Sequence, residues 1–136
     1  MNVGLIDRLD ILDKNATLSV VDSLPFSVRR IFYIHSALTE QERGNHAHRA
    51  CHQIYVCVKG SVAVECTDGN QSIEYVLDEK SKCLYVPPMV WSKETGFDEN
   101  TIFLVLCSEK YNDKDYLRSF DNFMEIKNEE KKESMG

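Results

Sequence analysis

The chain has 136 residues and a formal net charge of −6, which is length for one hydrophobic core and one domain. Lysine and arginine form no stripe or cluster in it, which argues against a nucleic-acid surface. The longest apolar runs, such as 102–107, fall far below the roughly 20 residues that cross a bilayer. Residues 1–10 lack a basic start followed by an apolar stretch, so no signal peptide is expected.

Taken in chain order, short strand-like segments dominate. Residues 16–21, 29–34, 53–58, 61–65, 71–77, 84–86 and 101–107 are rich in Val, Ile, Tyr, Phe and Thr, and turn formers or lysine bound them. Such composition and spacing predict strands. Lys59-Gly60 joins the third to the fourth. Asp68-Gly69-Asn70 opens a second hairpin, because Asp-Gly supplies the positive φ angles of such turns. Regular spacing with hairpin turns predicts an all-β fold, a small antiparallel sandwich or barrel.

The chain ends differently. Tyr116, Leu117, Phe120, Phe123 and Met124 recur at helical spacing after Asn112, which predicts one amphipathic helix with Asn112 as its N-cap. Beyond Ile126 the charged run has no apolar anchor. The expectation is one domain over 1–126 and a disordered tail over 127–136. Five cysteines (Cys51, Cys57, Cys66, Cys83, Cys107) include no CxxC pair. They read as reduced thiols, with Cys57 and Cys107 inside apolar runs.

The chemistry concentrates in Arg43-Gly44-Asn45-His46-Ala47-His48, followed by Gln53 and Tyr55. In an extended chain His46 and His48 project to one side. Gly44 permits a tight backbone turn before them, and Arg43 adds a fixed positive charge. Two functions suit this pattern. An HxH pair on a strand is a frequent metal-ligand pair, and imidazole is also the side chain best poised for proton transfer near neutral pH.

The HxH segment, the Gly60 turn and the later Pro87-Pro88 strand end resemble the two motifs of the cupin superfamily. Metal-binding cupins carry a glutamate four or five residues after HxH and a further histidine in the second motif. Here His52 and Gln53 stand at the first place and Ser92 near the second. Gln and Ser are poor transition-metal ligands, so no metal is expected, although His52 remains available as a substitute.

The stretches 25–34, 43–48 with Gln53, Asp68-Gly69, 84–91 and 111–118 are similar in order and spacing to one cupin subfamily. It is the dTDP-4-keto-6-deoxyglucose 3,4-ketoisomerases, also called WxcM-like sugar isomerases. The likeness covers roughly residues 10–125. It implies a small cupin (jelly-roll) barrel with one C-terminal helix, acting as a cytoplasmic homodimer without metal or other cofactor. It implies a dTDP-linked 4-keto-6-deoxy sugar as substrate and a dTDP-3-keto-6-deoxyhexose, galacto or gluco, as product. Such products are precursors of 3-amino-3,6-dideoxy sugars in surface glycans such as the O-antigen of lipopolysaccharide. Two departures bear on the product's stereochemistry. Asn15-Ala16 stands where members often carry Arg-Gly, and Ser92-Lys93 follows the tryptophan where many have a histidine or a small residue.

Moving the carbonyl from C4 to C3 requires a base at C3, a proton donor, and positive or hydrogen-bonding groups facing an enediolate. On this reading His48 is the base and His46 relays or donates a proton, with the two roles exchangeable. Arg43 faces the enediolate or the diphosphate, or else forms a dimer salt bridge. Tyr33 hydrogen-bonds the sugar or is a half-buried strand aromatic. Gln53 and Tyr55 line the pocket if their strand turns its odd residues inward. Trp91 walls the sugar or stacks on the base, or belongs to the core. Tyr111, Tyr116 and Arg118 approach the nucleotide or pack the helix. Three rivals stay open: a dTDP-sugar epimerase of the same barrel class, a metal-dependent cupin oxygenase, and a non-catalytic sugar-binding cupin.

Overall fold

All seven expected strands form, each bound falling within two residues of the expected one. The computed structural model describes residues 1–135. The expected strands are β3 (Ala16–Val20), β4 (Arg30–Ile34), β6 (Gln53–Lys59), β7 (Ser61–Thr67), β8 (Ser72–Asp78), β9 (Cys83–Val86) and β11 (Ile102–Cys107). Five more join them: β1 (Gly4–Ile6), β2 (Leu9–Asp13), β5 (Arg43–His48), β10 (Trp91–Thr95) and β12 (Tyr116–Leu117). One sheet runs β1-β9-β6-β11-β4, a second runs β12-β5-β10-β7-β8, and β2 pairs only with β3. Every pairing is antiparallel. Two five-stranded sheets closing on a shared core make the jelly-roll barrel of the cupins.

Local sequence explains the turns. Gly60 sits at φ +80° between β6 and β7, and a Cβ there would stand 3.0 Å from Thr101 Oγ1. Lys14 and Asn15 both adopt positive φ, 49° and 63°, the backbone of a two-residue hairpin turn between β2 and β3. Between the sheets lies the main core, with Tyr55, Val64, Leu84, Phe103 and Val105. The outer face of β6 and β11 carries Ile54, Val56 and Leu106, which the segment bearing Val21, Leu24, Phe26 and Val28 covers. This explains why β6 is apolar on both faces. Each side of it meets protein.

The C-terminal region departs from expectation at both ends. Asn112 caps a 3₁₀ turn (Asp113–Asp115), its side chain accepting from the Lys114 amide. Tyr116 and Leu117 then pair with His48 and Ala47 as β12. The helix α1 (Phe120–Met135) begins only afterwards, and Ser119 caps it through the Asn122 amide at 3.2 Å. Its apolar side packs Phe123 and Met124 against Ala47 and Trp91 on the back of the second sheet. Residues 127–135, expected as a disordered tail, continue this helix. The run is mostly Glu and Lys, with Glu129 and Lys132 three apart, so good helix formers and ion-pair spacing extend what the packed first turns nucleate. The last residue of the expected tail, Gly136, lies outside the described residues. No helix among the described residues is long and apolar enough to cross a membrane.

Candidate active site

The histidine strand β5 lies between β10 and β12. Its pairing with β10 shifts register between Ser92 and Lys93, so that His46 opposes Ser92 while Gly44 opposes Lys93. The extra residue is Asn45, at φ 56°, and Gly44 beside it sits at φ +80°. This bulge aims the strand's inward residues into the barrel mouth. His46 and His48 do project to one side, with ring centroids 5.0 Å apart and edge to face. Ala47 between them points the opposite way, onto α1.

The mouth of the barrel holds a cavity of about 250 Å³. Arg43, Gly44 and His46 from β5, Gln53 and Tyr55 from β6, and Glu94 from β10 line it. Phe32 and Ile34 of β4, Phe103 and Val105 of β11, and Tyr116 with Arg118 complete the wall. Arg30 supports this wall, donating to the Tyr116 hydroxyl at 3.1 Å and to Cys107 Sγ at 3.5 Å. The Arg118 guanidinium lies over the Tyr116 ring, 4.3 Å from its centroid.

Hydrogen bonds fix both imidazoles. His46 Nδ1 lies 3.0 Å from the Gly44 carbonyl oxygen. A carbonyl only accepts, so in the neutral ring Nδ1 carries the hydrogen and Nε2 is bare. Burial and then the neighbouring His48 push the His46 pKa down to about 4. His48 Nδ1 lies 2.9 Å from Asp115 Oδ2. That carboxylate is itself fixed, accepting from the Ala50 amide at 2.7 Å and the Cys51 amide at 3.3 Å. Burial lowers the His48 pKa, and Asp115 opposes the shift. Nothing among the described residues hydrogen-bonds His48 Nε2, which is buried. Both rings have a bare Nε2; His46 lines the cavity while His48 stands behind it, and only His48 has a carboxylate to stabilise its protonated form.

On β6 the odd residues do face inward, as the conditional reading required. The Tyr55 hydroxyl donates to Gln53 Oε1 at 3.1 Å and meets Ser92 Oγ at 2.9 Å. Two expected site residues are elsewhere. Tyr33 is 60% exposed, because β4 turns Phe32 and Ile34 inward and leaves Ile31 and Tyr33 outside. Trp91 packs on Phe120 and Phe123 behind the second sheet, the core alternative for that residue. Asp115, Glu94 and the inward Ser92 had no assigned role in the sequence. Asp115 stands 67 residues from His48 and Glu94 stands 48 from His46, and register alone brings Asp115 to His48 and Glu94 to the cavity that His46 lines.

The donor set of a metal-binding cupin is not assembled here. Gln53 and Ser92 occupy the inward places and are joined through Tyr55. His52, the possible substitute, faces the other side, its Nδ1 2.7 Å from the Tyr85 hydroxyl. A different trio, His48, Cys51 and Asp115, brings three donor atoms within 4.8 Å of one another. Its carboxylate already serves His48 and two amides.

Comparison with known proteins places the chain in a family. Residues 1–128 match the family model FdtA, described as WxcM-like, C-terminal. The TDP-4-oxo-6-deoxy-α-D-glucose 3,4-oxoisomerase of Aneurinibacillus thermoaerophilus is 38% identical over 126 residues, covering 90% of this chain and 91% of the relative. The sugar 3,4-ketoisomerase QdtA of Thermoanaerobacterium thermosaccharolyticum, solved with TDP, superposes with a TM-score of 0.88 at 32% identity. That match covers 95% of this chain and 96% of QdtA. The TDP-fucose 3,4-ketoisomerase WlaRA of Campylobacter jejuni gives 0.86 at 32% identity, covering 93% and 96%.

Proposed function

Because the chain belongs to the FdtA family of WxcM-like sugar 3,4-ketoisomerases, we propose that it moves the carbonyl of dTDP-4-keto-6-deoxy-D-glucose from C4 to C3 by histidine-mediated proton transfer. The observation that carries this reading is the pair of inward imidazoles, His46 and His48, with His48 tied to a buried carboxylate. The C4 carbonyl acidifies the hydrogen on C3. His48 Nε2 removes it, Asp115 stabilises the resulting imidazolium, and an enediolate spans C3 and C4. His46, nearer the cavity and held neutral, relays the proton toward C4. Gln53 and Tyr55 contact the sugar. Arg43 and Arg118 at the rim supply positive charge for the enediolate oxygen and the diphosphate. A cavity of about 250 Å³ is small for a ligand site, so it suits the hexose ring with the nucleotide across the mouth.

The product is a dTDP-3-keto-6-deoxyhexose for amination in deoxyamino-sugar biosynthesis, and the C4 configuration depends on which face receives the proton. The same reading makes the protein a homodimer, supported by the exposed apolar residues of the β2–β3 hairpin: Leu9, Ile11, Leu12 and Leu18. A cytoplasmic setting is supported by five buried cysteines, all unpaired among the described residues. The test is product identity. Incubated with the 4-keto sugar nucleotide, the protein should give NMR signals of a 3-keto sugar. Inversion of ring carbons without carbonyl migration, or unchanged substrate with folded protein, contradicts the proposal.

A further inference from the structure

Glu94 is the most unusual buried group in the barrel. It projects inward from β10 beside Ser92, and the outward Lys93 separates them. Its side chain is 5% exposed yet lines the same cavity as His46 and Arg43. The carboxyl lies against the Tyr55 and Ser92 hydroxyls. Nothing among the described residues hydrogen-bonds the other oxygen, Oε2. That oxygen occupies the space beside Gly44, where any Cβ would collide with it and would stand 2.9 Å from the Ser92 carbonyl oxygen. Gly44 is thus required twice, for its positive φ and for the room it leaves the carboxyl.

A carboxylate with one oxygen buried and unpaired is costly, and the neutral acid is favoured instead. Burial raises the Glu94 pKa to about 8, against the lowering effect of Tyr55 and Ser92. The groups facing it are His46 and Arg43 from β5, Tyr55 from β6, Cys66 from β7, and Tyr116 with Arg118 across the cavity. At neutral pH Glu94 is therefore a carboxylic acid, with one oxygen against the Tyr55 and Ser92 hydroxyls and Oε2 unbonded among the described residues. A carboxylic acid on the cavity wall with one oxygen unbonded is complementary to a ligand oxygen or hydroxyl.

We infer that Glu94 is a further catalytic residue, the acid that exchanges hydroxyl protons between the two vicinal oxygens of the bound hydroxyketone. The inference rests on the ketoisomerase reading and supplies a step that the histidines leave open. When the proton leaves C3, the oxygen on C4 becomes anionic while the oxygen on C3 keeps its hydrogen. Carbonyl migration needs that hydrogen moved. Glu94 gives its proton to the oxygen on C4 and takes the proton from the oxygen on C3. The acid is regenerated, and the only net changes are the proton transfers O3 to O4 and C3 to C4. A carboxylate cannot begin this exchange, so turnover should fall as pH rises through about 8.

The experiment compares wild type with Glu94→Gln, which preserves size and a hydrogen-bond donor. Steady-state kinetics on the 4-keto sugar nucleotide would be measured across pH 6–10. The expected result is a kcat lower by about 10²-fold with KM nearly unchanged, and loss of the alkaline limb that wild type shows. A variant with kcat within about twofold of wild type, or one retaining that limb, overturns the assignment. Wild-type protein that makes no 3-keto product overturns the ketoisomerase reading itself, and this proposal with it.

Discussion

At the scale of single residues, the account depends on how one carboxylate is held. Asp115 ends a 3₁₀ turn and has both oxygens engaged, by two amides and by His48 Nδ1. It acts through His48 and is a positioning residue. Asp115→Asn keeps the shape but removes the charge that favours imidazolium. The expected outcome is a kcat lower by about 10²-fold with little change in KM. The sign of the pH effect follows from the direction of the interaction. Asp115 raises the His48 pKa against its burial, so without it the acid limb of the rate profile should move to lower pH. An unmoved limb would show that the pair is structural. That Arg43, His46, Gln53 and Tyr55 share one cavity wall was legible in the sequence, because an HxH and the strand after it carry their own geometry. Asp115 was not, since its partner lies 67 residues away and nothing local marks an aspartate in a turn as the partner of a histidine.

Among elements, the legible strands were those with apolar faces. The sequence Trp-Ser-Lys-Glu-Thr of β10 has no hydrophobic alternation, because its inward face meets a polar cavity rather than a core. The period-2 signal is present, but it is carried by the burial of Ser92 and Glu94. Parity failed on β4 for the opposite reason. Ile31 and Tyr33 are as apolar as the inward Phe32 and Ile34, so composition gave no basis for choosing a face. The aromatic spacing that predicted a helix from Tyr116 onward mixes two elements, a strand pair against β5 and the first turns of α1. Helix α1 supports the active strand from behind through Phe123, which is fully buried against Ala47 and Leu117. Phe123→Ala should cost about 3–5 kcal/mol in denaturant unfolding. It should also lower activity in the folded protein, because β5 loses its backing. Wild-type stability would mean that the helix is dispensable.

For the whole molecule, the jelly roll explains why a cavity exists where it does. Two sheets close around a core of Tyr55, Phe103 and Val105, and toward the mouth that core gives way to Arg43, His46, Gln53 and Glu94. One region is left without a partner inside the chain. The hairpin of β2 and β3 pairs only with itself, and Leu12 is 80% exposed. A second copy covering this hairpin would remove its apolar side chains from water. Leu12→Glu should therefore weaken the proposed homodimer at least about tenfold in sedimentation analysis, the effect of some 1.4 kcal/mol at an apolar contact. A dimer of undiminished affinity would place the interface elsewhere.

The most direct measurement follows hydrogen at the reacting carbons. Wild type and His48→Asn would be incubated in deuterated water with the 4-keto sugar nucleotide, and C3 and C4 followed by NMR while nucleotide binding is titrated separately. The account predicts deuterium at C4 of a 3-keto product with wild type, and a variant that still binds the nucleotide but leaves the substrate unchanged. Near-normal conversion by His48→Asn would contradict it.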